Sequence, residues 1–475
     1  MNISTQDSKF FGLLQKSNIM LLFLFLSSSI LSAQIVNIGG DTLVNTTTVN
    51  SQQNAKVAMD DDGNYLVVWE SDGQDGDGFG VYGQWYDADG TLNGSEFQVN
   101  SITENDQRFP AVAVTEDGRA SIVWVEDEED GSGWTLNCRI YRSSHTAITT
   151  AFSIRTSSNG QQRWPDVHMD NSGNTYVTWT QVSNDLSTYT IYAQVRNSIG
   201  VDLTGIITIN DVSSSFNGYS KIGVEENGDF AVTWQILGSD NATTHGILCE
   251  RFNSAGVSQG TEFQVNTEVS GYQISPDIAM DSTGNFTVVW TSAGQDGDED
   301  GIYGQRYTNA GATDDSEFQI STTTAGFQNH PSIGMSKEGS AAVAWNSYGT
   351  DGSFDGIYLQ AYNADGTTSG TETLMNTRTT DFQQFAEVAA YSISNNMVVV
   401  WADGLVNSTS THDGSGYGIF SQRFSIAAML VASAAVSSAI DCNGDTDGQV
   451  TASETGGTAP YTYIWNTGGF AALET

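Results

Sequence analysis

The segment Asn285-Phe-Thr-Val-Val-Trp290 has apolar residues on both faces of a predicted strand, and Gly301-Ile-Tyr-Gly-Gln-Arg-Tyr307 follows it after an acidic loop. A strand that is apolar on both faces indicates a sheet covered on both sides, because a half-exposed strand would alternate. The tryptophan recurs every 55 or 56 residues, at Trp69, Trp124, Trp179, Trp234, Trp290, Trp345 and Trp401. A repeat of this length with several short strand patterns predicts a β-propeller of seven blades.

Each repeat contains four strand patterns. In the fifth copy, residues 277–281, 285–290 and 301–307 form the first three, and residues 262–266 form the last strand of the preceding copy. The predicted fold class is therefore all-β, with a propeller of four-stranded blades over residues 34–425.

The seventh copy ends near residue 424 without a fourth strand pattern. Asp41-Thr-Leu-Val-Asn45 ends 24 residues before Trp69, as Glu96-Phe-Gln-Val-Asn100 ends 24 residues before Trp124. We therefore expect residues of about 41–48 to complete blade seven. This pairing would close the ring and remove two exposed sheet edges.

The chain is strongly acidic, with 56 Asp and Glu against 16 Lys and Arg and a formal net charge of −40. Such a field repels phosphates, which argues against nucleic acid as a partner. Two interpretations remain for the charge itself. It provides solubility in a salty exterior, or its clustered carboxylates bind cations.

Residues 1–33 are typical of an export signal. Lys9 and Lys16 precede an apolar run over residues 19–31, and Ser32-Ala33 offers small residues for cleavage. The run is short for a membrane span, and we expect no integral membrane segment in the mature chain. The predicted location is secreted or on the cell surface.

The loops between the second and third strands alternate acids with glycines, as calcium-binding loops do. Their candidate ligands are Asp75, Asp77, Asp296, Asp298, Asp300, Asp351 and Asp355. None of these loops supplies the bidentate glutamate of a complete calcium loop. Calcium is the one cofactor that the sequence suggests, and solvated turns are the alternative.

The crossovers between blades carry one polar residue at a constant place, at Gln52, Gln107, Gln162, Asn217, Gln273, Gln328 and Gln383. We expect it to form a structural hydrogen bond between blades. The next two places vary and include arginines and aromatic residues, namely Arg108, Phe109, Arg163, Trp164, Tyr219, His330 and Phe385. These side chains could stack on sugars or bind a carboxylate, or they could pack between blades near the axis.

The first strand carries a small residue eleven or twelve positions before most of the tryptophans, as at Ala58, Ala113 and Gly223. Seven innermost strands converge on one axis, and crowding there explains the small residues. His168 interrupts the series and is a further candidate ligand-binding residue.

The tail over residues 426–475 has a different pattern. It contains Cys442-Asn-Gly-Asp-Thr-Asp-Gly448 and then Gly456-Gly-Thr-Ala-Pro-Tyr-Thr-Tyr-Ile-Trp465. This spacing resembles the SprB-type repeat of surface adhesins in gliding bacteria, and the resemblance implies an incomplete, small β-sandwich-like module. The propeller resembles, more loosely, repeats of large secreted bacterial proteins. Because the pattern stops within a module, we expect the chain to be part of a longer polypeptide.

These features predict a non-catalytic adhesion protein whose propeller binds a surface glycan or protein. One alternative is a polysaccharide-active enzyme, a glycoside hydrolase or sialidase-like protein, that works at the crossover face. No nucleophile motif or histidine metal spacing supports it, and only Arg108 and Arg163 align where a sialidase-like site needs three arginines. A second alternative is a passive spacer.

Overall fold

The computed structural model describes residues 34–128, 133–154, 160–210, 216–239, 244–390, 396–404, 416–427, 431–438 and 449–455. These residues form thirty strands and no helix. Seven antiparallel sheets of four strands each surround a central channel, and a two-stranded sheet follows them. The predicted seven-bladed propeller is confirmed.

The strands fall into the same order in every blade. The innermost strands are β2 (Gln52–Met59), β6 (Gln107–Val114), β10 (Gln161–Met169), β14 (Asn217–Val224), β18 (Gln273–Met280), β22 (Gln328–Met335) and β26 (Phe382–Ala390). The second strands are β3 (Tyr65–Asp72), β7 (Ala120–Glu128), β11 (Thr175–Val182), β15 (Phe230–Leu237), β19 (Phe286–Ala293), β23 (Ala341–Tyr348) and β27 (Asn396–Gly404).

The third strands are β4 (Phe79–Tyr86), β8 (Gly133–Tyr141), β12 (Tyr189–Arg196), β16 (His245–Phe252), β20 (Asp300–Tyr307), β24 (Asp355–Tyr362) and β28 (Tyr417–Ala427). The outermost strands are β5 (Phe97–Gln98), β9 (Phe152–Ile154), β13 (Ile207–Thr208), β17 (Phe263–Gln264), β21 (Thr313–Gln319), β25 (Thr368–Leu374) and, in blade seven, β1 (Gln34–Leu43).

The N-terminal strand closes the ring as predicted, because β1 pairs antiparallel with β28. Its bounds differ from the expected residues 41–48. The strand begins at Gln34 and continues past an irregularity between Ile38 and Thr42. The register at its end matches the other blades, since Asp41 accepts hydrogen bonds from Thr377 as Glu96 does from Thr46.

The core consists of seven apolar clusters, one at each interface between neighbouring blades. Each tryptophan of the repeat packs into the cluster that its blade shares with the preceding blade. Trp234, for example, packs with Ile191 and Val195 of the blade before it. All seven indoles are at most 1% exposed, so the regular spacing in the sequence reflects packing between sheets.

The constant polar residue of the crossover links blades by hydrogen bonds, as expected. Asn100 Oδ1 accepts from the amide of Val81 in its own blade, and Asn100 Nδ2 donates to Gln107 Oε1 in the next at 2.7 Å. The same pair joins Asn45 to Gln52 where the ring closes.

After blade seven, β29 (Val431–Ser438) and β30 (Gln449–Thr455) form an antiparallel pair within the predicted tail module. The predicted export signal at residues 1–33, Cys442 and Trp465 lie outside the described residues. Within the part of the chain that is described, no helix has the length and apolar character needed to cross a bilayer.

Candidate binding site at the channel mouth

The two ends of the channel are built differently. The crossovers and the loops between second and third strands lie at one end, which we call the crossover face. The tight turns lie at the other, which we call the turn face. Gln34 pairs with Ala427 at the turn face, so the chain both enters and leaves the propeller there.

Every innermost strand contains the same bulge near the crossover face. In the first blade, Gln53 pairs with Glu70 and Lys56 pairs with Val68. The two residues between them, Asn54 and Ala55, therefore lie opposite the single residue Trp69. The first residue of each bulge has a left-handed backbone with φ between 50° and 58°. The seven residues are Asn54, Phe109, Trp164, Tyr219, Ser275, His330 and Phe385.

Bulky residues rarely adopt this conformation, so the neighbours must hold it in place. The amide of Phe109 donates to Glu70 Oε1 of the preceding blade at 2.6 Å. The amide of Ser275 donates in the same way to Gln235 Oε1 at 2.9 Å. Proline follows the left-handed residue in four blades, where the bulge leaves no ladder bond for its missing N–H, at Pro110, Pro165, Pro276 and Pro331.

The bulges bring five of the predicted ligand-binding residues to the channel mouth. Trp164 stacks on Tyr219 of the next blade, with ring centroids 4.4 Å apart. His330 and Phe385 form a second pair across a blade boundary at 5.5 Å. Phe109 lies beside the guanidinium of Arg108. Tyr219 and Phe385 are each 41% exposed, so the ring presents aromatic surface to solvent.

The two predicted arginines have partners within the protein. Arg108 forms an ion pair at 2.9 Å with Glu70, whose side chain is completely buried. Arg163 Nε donates to Gln161 Oε1 at 2.8 Å. For Arg108 the structure therefore favours the interpretation of bonding between blades, because this charge is already neutralised.

His168 is not among the aromatic residues at the channel mouth. It lies nearer the turn face, in a central cavity of about 270 Å³ whose lining also includes Ala58, Ala113 and Gly334. The side chain is exposed to the channel, and its enclosure by the surrounding innermost strands lowers the pKa of this histidine. A Cβ on Gly334 would lie 2.9 Å from the amide nitrogen of Ala390. This crowding explains why most repeats hold a small residue at this position.

Between the aromatic residues at the channel mouth and this cavity lies a belt of charged residues that was not predicted from the sequence. Each member follows two residues after the left-handed one, at Lys56, Asp166, Lys221, Asp277 and Glu387. Lys221 lies 3.8 Å from Asp166 and 3.6 Å from Asp277, in the two neighbouring blades. Lys56 pairs with Glu387 where the ring closes.

The belt also bonds the inner edges of the blades. Asp166 accepts from the amide of Ile222 at 3.0 Å, and Asp277 accepts from that of Ile333 at 2.9 Å. Burial lowers the pKa of Lys221, but the carboxylates of Asp277 and Asp166 outweigh it, so this pKa is raised. Burial, with repulsion from Asp277, raises the pKa of Asp166. In the sequence, the belt is visible as one position of the repeat that holds charged residues in five innermost strands.

Most of the predicted calcium ligands accept hydrogen bonds from the following crossover or blade, whereas Asp300 and Asp296 accept them within their own blade. Asp75 accepts from Asn100 at 3.1 Å, and Asp77 from the amide of Asn105. Asp298 accepts from the amide of Gly326, Asp300 from the Tyr272 hydroxyl, Asp351 from Asn376 and Asp355 from Gln384. Asp296 accepts from the amide of Asp298.

Burial raises the pKa of Asp75, Asp300 and Asp355. Among the described residues, no three His, Cys, Asp or Glu side chains are grouped as metal ligands. Calcium binding stays a prediction.

Comparison with known proteins identifies the tail. Residues 434–470 match the family model of the SprB repeat. No curated protein matches the chain.

Several solved structures are similar to the chain. A protein of unknown function from Dyadobacter fermentans has a TM-score of 0.50 at 9% identity, covering 84% of this chain and 100% of its own. The α-L-arabinofuranosidase Arb93A of Fusarium graminearum has a TM-score of 0.47 at 12% identity, covering 66% and 92%. The phage phi92 endosialidase has 0.46 at 11%, covering 93% and 76%. At 9% identity, the likeness to the Dyadobacter fermentans protein concerns the fold alone.

Proposed function

We propose that this protein is a cell-surface adhesion protein whose propeller binds a glycan or protein partner at the crossover face. The observation that carries the proposal is the aromatic ring at the channel mouth. Left-handed backbone costs a residue other than glycine about 1–2 kcal/mol, yet all seven bulges hold such a residue and four of them place Phe, Trp or Tyr there. Strain of this kind is typical of sites where side chains are held for a ligand.

The topology supports the same proposal. The propeller chain ends at Ala427 on the turn face and the SprB repeat follows it, so the aromatic ring faces away from that connection. A partner could therefore reach the ring from outside. The SprB match is also the support for a location at the cell surface.

A polysaccharide-active enzyme is the second candidate, because the belt contains titratable groups with shifted pKa values in a central channel. The geometry favours binding over turnover. Lys221 is paired with two of the belt carboxylates and Lys56 with a third, although burial lowers the pKa of Lys56 to about 7.

Binding is tested with arrays of surface glycans and with surface extracts, in calcium and in chelator. We expect one partner to bind, and Trp164→Ala to weaken it at least fivefold through the lost stacking surface. The matched control is Leu203→Ala, which removes a side chain that is 53% exposed at the opposite end of its blade. Loss of binding in chelator alone would assign calcium a role.

Other outcomes would contradict the proposal. Absence of any partner would favour a passive spacer. Turnover of a polysaccharide that is abolished by Asp277→Asn, with binding retained, would establish the enzyme instead.

A further inference from the structure

The crossover face is not symmetric around the ring. The position just before the constant polar residue of each crossover is polar in the first three blades, at Ser51, Asp106 and Gln161. In the next four blades it is aromatic in every case. We call these residues, Phe216, Tyr272, Phe327 and Phe382, the outer arc.

The outer arc is continuous with the channel mouth. Phe216 lies 5.8 Å from Trp164 and 6.0 Å from Tyr219, measured between ring centroids. At the other end, Phe382 stacks on Phe354 of the neighbouring loop at 4.5 Å. Ring contacts are therefore present at both ends of the outer arc, and an aromatic residue holds the same position in each of blades four to seven.

Several of these rings are open to solvent. Tyr272 is 36% exposed, and Phe327 and Phe354 are each 40% exposed. Apolar rings that lie together on a surface are typical of an interaction site, whereas isolated exposed residues are normal.

Carboxylates lie directly beside the arc. Asp300 accepts from the hydroxyl of Tyr272 at 2.7 Å, and Asp298 accepts from the amide of Gly326, the residue before Phe327. Asp355 accepts from Gln384, two residues after Phe382. This face therefore combines aromatic rings with negative charge.

Cations are scarce in the same region. In the described crossovers and loops of blades four to seven, Arg378 is the one Lys or Arg at the crossover face; Lys221 lies deeper in the belt, paired with Asp166 and Asp277, and Lys337 pairs with Asp61 and Glu116 at the turn face. Arg251, Arg306 and Arg423 instead bond turns of the neighbouring blades at the opposite end. The acidic field is therefore left largely uncompensated there, and it repels anions.

We infer that the outer arc binds an uncharged, linear polysaccharide that runs from the channel mouth across blades four to seven. The inference rests on the proposed function and names its ligand class. Aromatic faces stack on the C–H faces of sugar rings, and an exposed carboxylate such as Asp298 accepts hydrogen bonds from sugar hydroxyls. Aromatic residues at one position of four successive blades provide a separate stacking surface for each of several sugar units. A chain that carries uronic or sialic acids would place its charges against the exposed Asp298 and Glu299.

The test uses matched polymers. Neutral glucans, mannans, galactans and arabinans of different linkage are each compared with a carboxylated derivative of the same backbone, by affinity electrophoresis with the full chain. We expect at least one neutral polymer to bind and its carboxylated form to bind at least tenfold more weakly. The difference should shrink as salt screens the acidic field.

The arc itself is tested with Phe327→Ala. We expect about fivefold weaker binding of the long polymer, and little change for a trisaccharide too short to reach beyond the mouth. Leu92→Ala, which removes a side chain 58% exposed on the turn face, should leave both unchanged. Circular dichroism melting of each variant verifies that the propeller is folded.

Two results would overturn the inference. The first is equal or tighter binding of the carboxylated polymers. The second is no binding of any neutral polymer. If a protein partner then binds and Trp164→Ala abolishes that binding, the proposed function stands and the polysaccharide assignment alone fails.

Discussion

The second strand and the innermost strand of each blade lie side by side, yet the repeat treats them differently. The second strand carries the same tryptophan in all seven blades, fully buried against the preceding blade. The innermost strand bulges opposite that tryptophan, and the residue at the bulge ranges from Asn54 and Ser275 to Trp164. One position is fixed in identity, and the other is fixed only in conformation.

The difference separates packing from binding. A side chain enclosed between two sheets must fill one shape, because protein interiors have few voids. A residue at the bulge is held through its backbone, so its side chain is free to vary at the channel mouth. Repeats of this propeller thus keep the scaffold constant and vary the surface that meets a ligand.

Removal of β1 should have the largest effect on the stability of the scaffold. A chain that begins at Ser51 lacks the strand that pairs with β28 and the hydrogen bonds from Thr377 to Asp41. We expect it to lose cooperative thermal unfolding, because two sheet edges are then exposed. A chain that begins at Gln34 is the control and should melt as the full chain does. An unchanged melting curve for the Ser51 chain would show that β1 does not hold the ring closed.

Trp345→Ala and Phe385→Ala test the comparison directly. Removal of the buried indole should lower the free energy of unfolding by about 3–5 kcal/mol, because it leaves a cavity. Phe385 is 41% exposed, so its truncation should cost no more than about 1 kcal/mol. Phe385→Gly, which suits a φ of 58°, should change stability by no more than about 1 kcal/mol as well. Chemical denaturation measures all three, and equal losses for Trp345→Ala and Phe385→Ala would contradict the division.

Much of the scaffold could be predicted from the sequence because its causes are local and repeated. The spacing of tryptophans gave the number of blades, and Asp41 to Asn45 revealed the closing strand through its match to Glu96 to Asn100. The strand bounds were less accurate, since the pairing of residues 34–38 with β28 depends on neighbours far away in the chain.

The candidate site was predicted only in part. The aromatic residues at the mouth were visible as variable positions in a regular crossover, but their left-handed backbone was not, because it arises from pairing across the sheet. The belt was missed for a related reason. Lys221 and Asp277 are 56 residues apart in the chain, and only the curvature of the ring brings them to 3.6 Å.

The smallest effect concerns the wall of the channel, where His168 is the exception in a column of small residues. Its side chain is exposed to the channel, but the enclosing strands keep bulk water away and lower its pKa below the value near 6.5 of an unfolded chain. The unfolded state therefore takes up a proton more readily, so the stability that this histidine contributes is present above pH 6.5 and is lost as the pH falls through its lower folded value.

His168→Gln should remove that dependence, and its melting temperature should fall less than that of the unchanged protein between pH 7.5 and 5.5. The residual fall in the variant then belongs to other groups, among them His145, His245 and His330, whose pKa values burial also lowers. Melting at pH 8, where all of these histidines are neutral, gives the baseline for each protein. If both proteins lose the same number of degrees, His168 titrates as it would in water, and the channel at that depth is open to solvent.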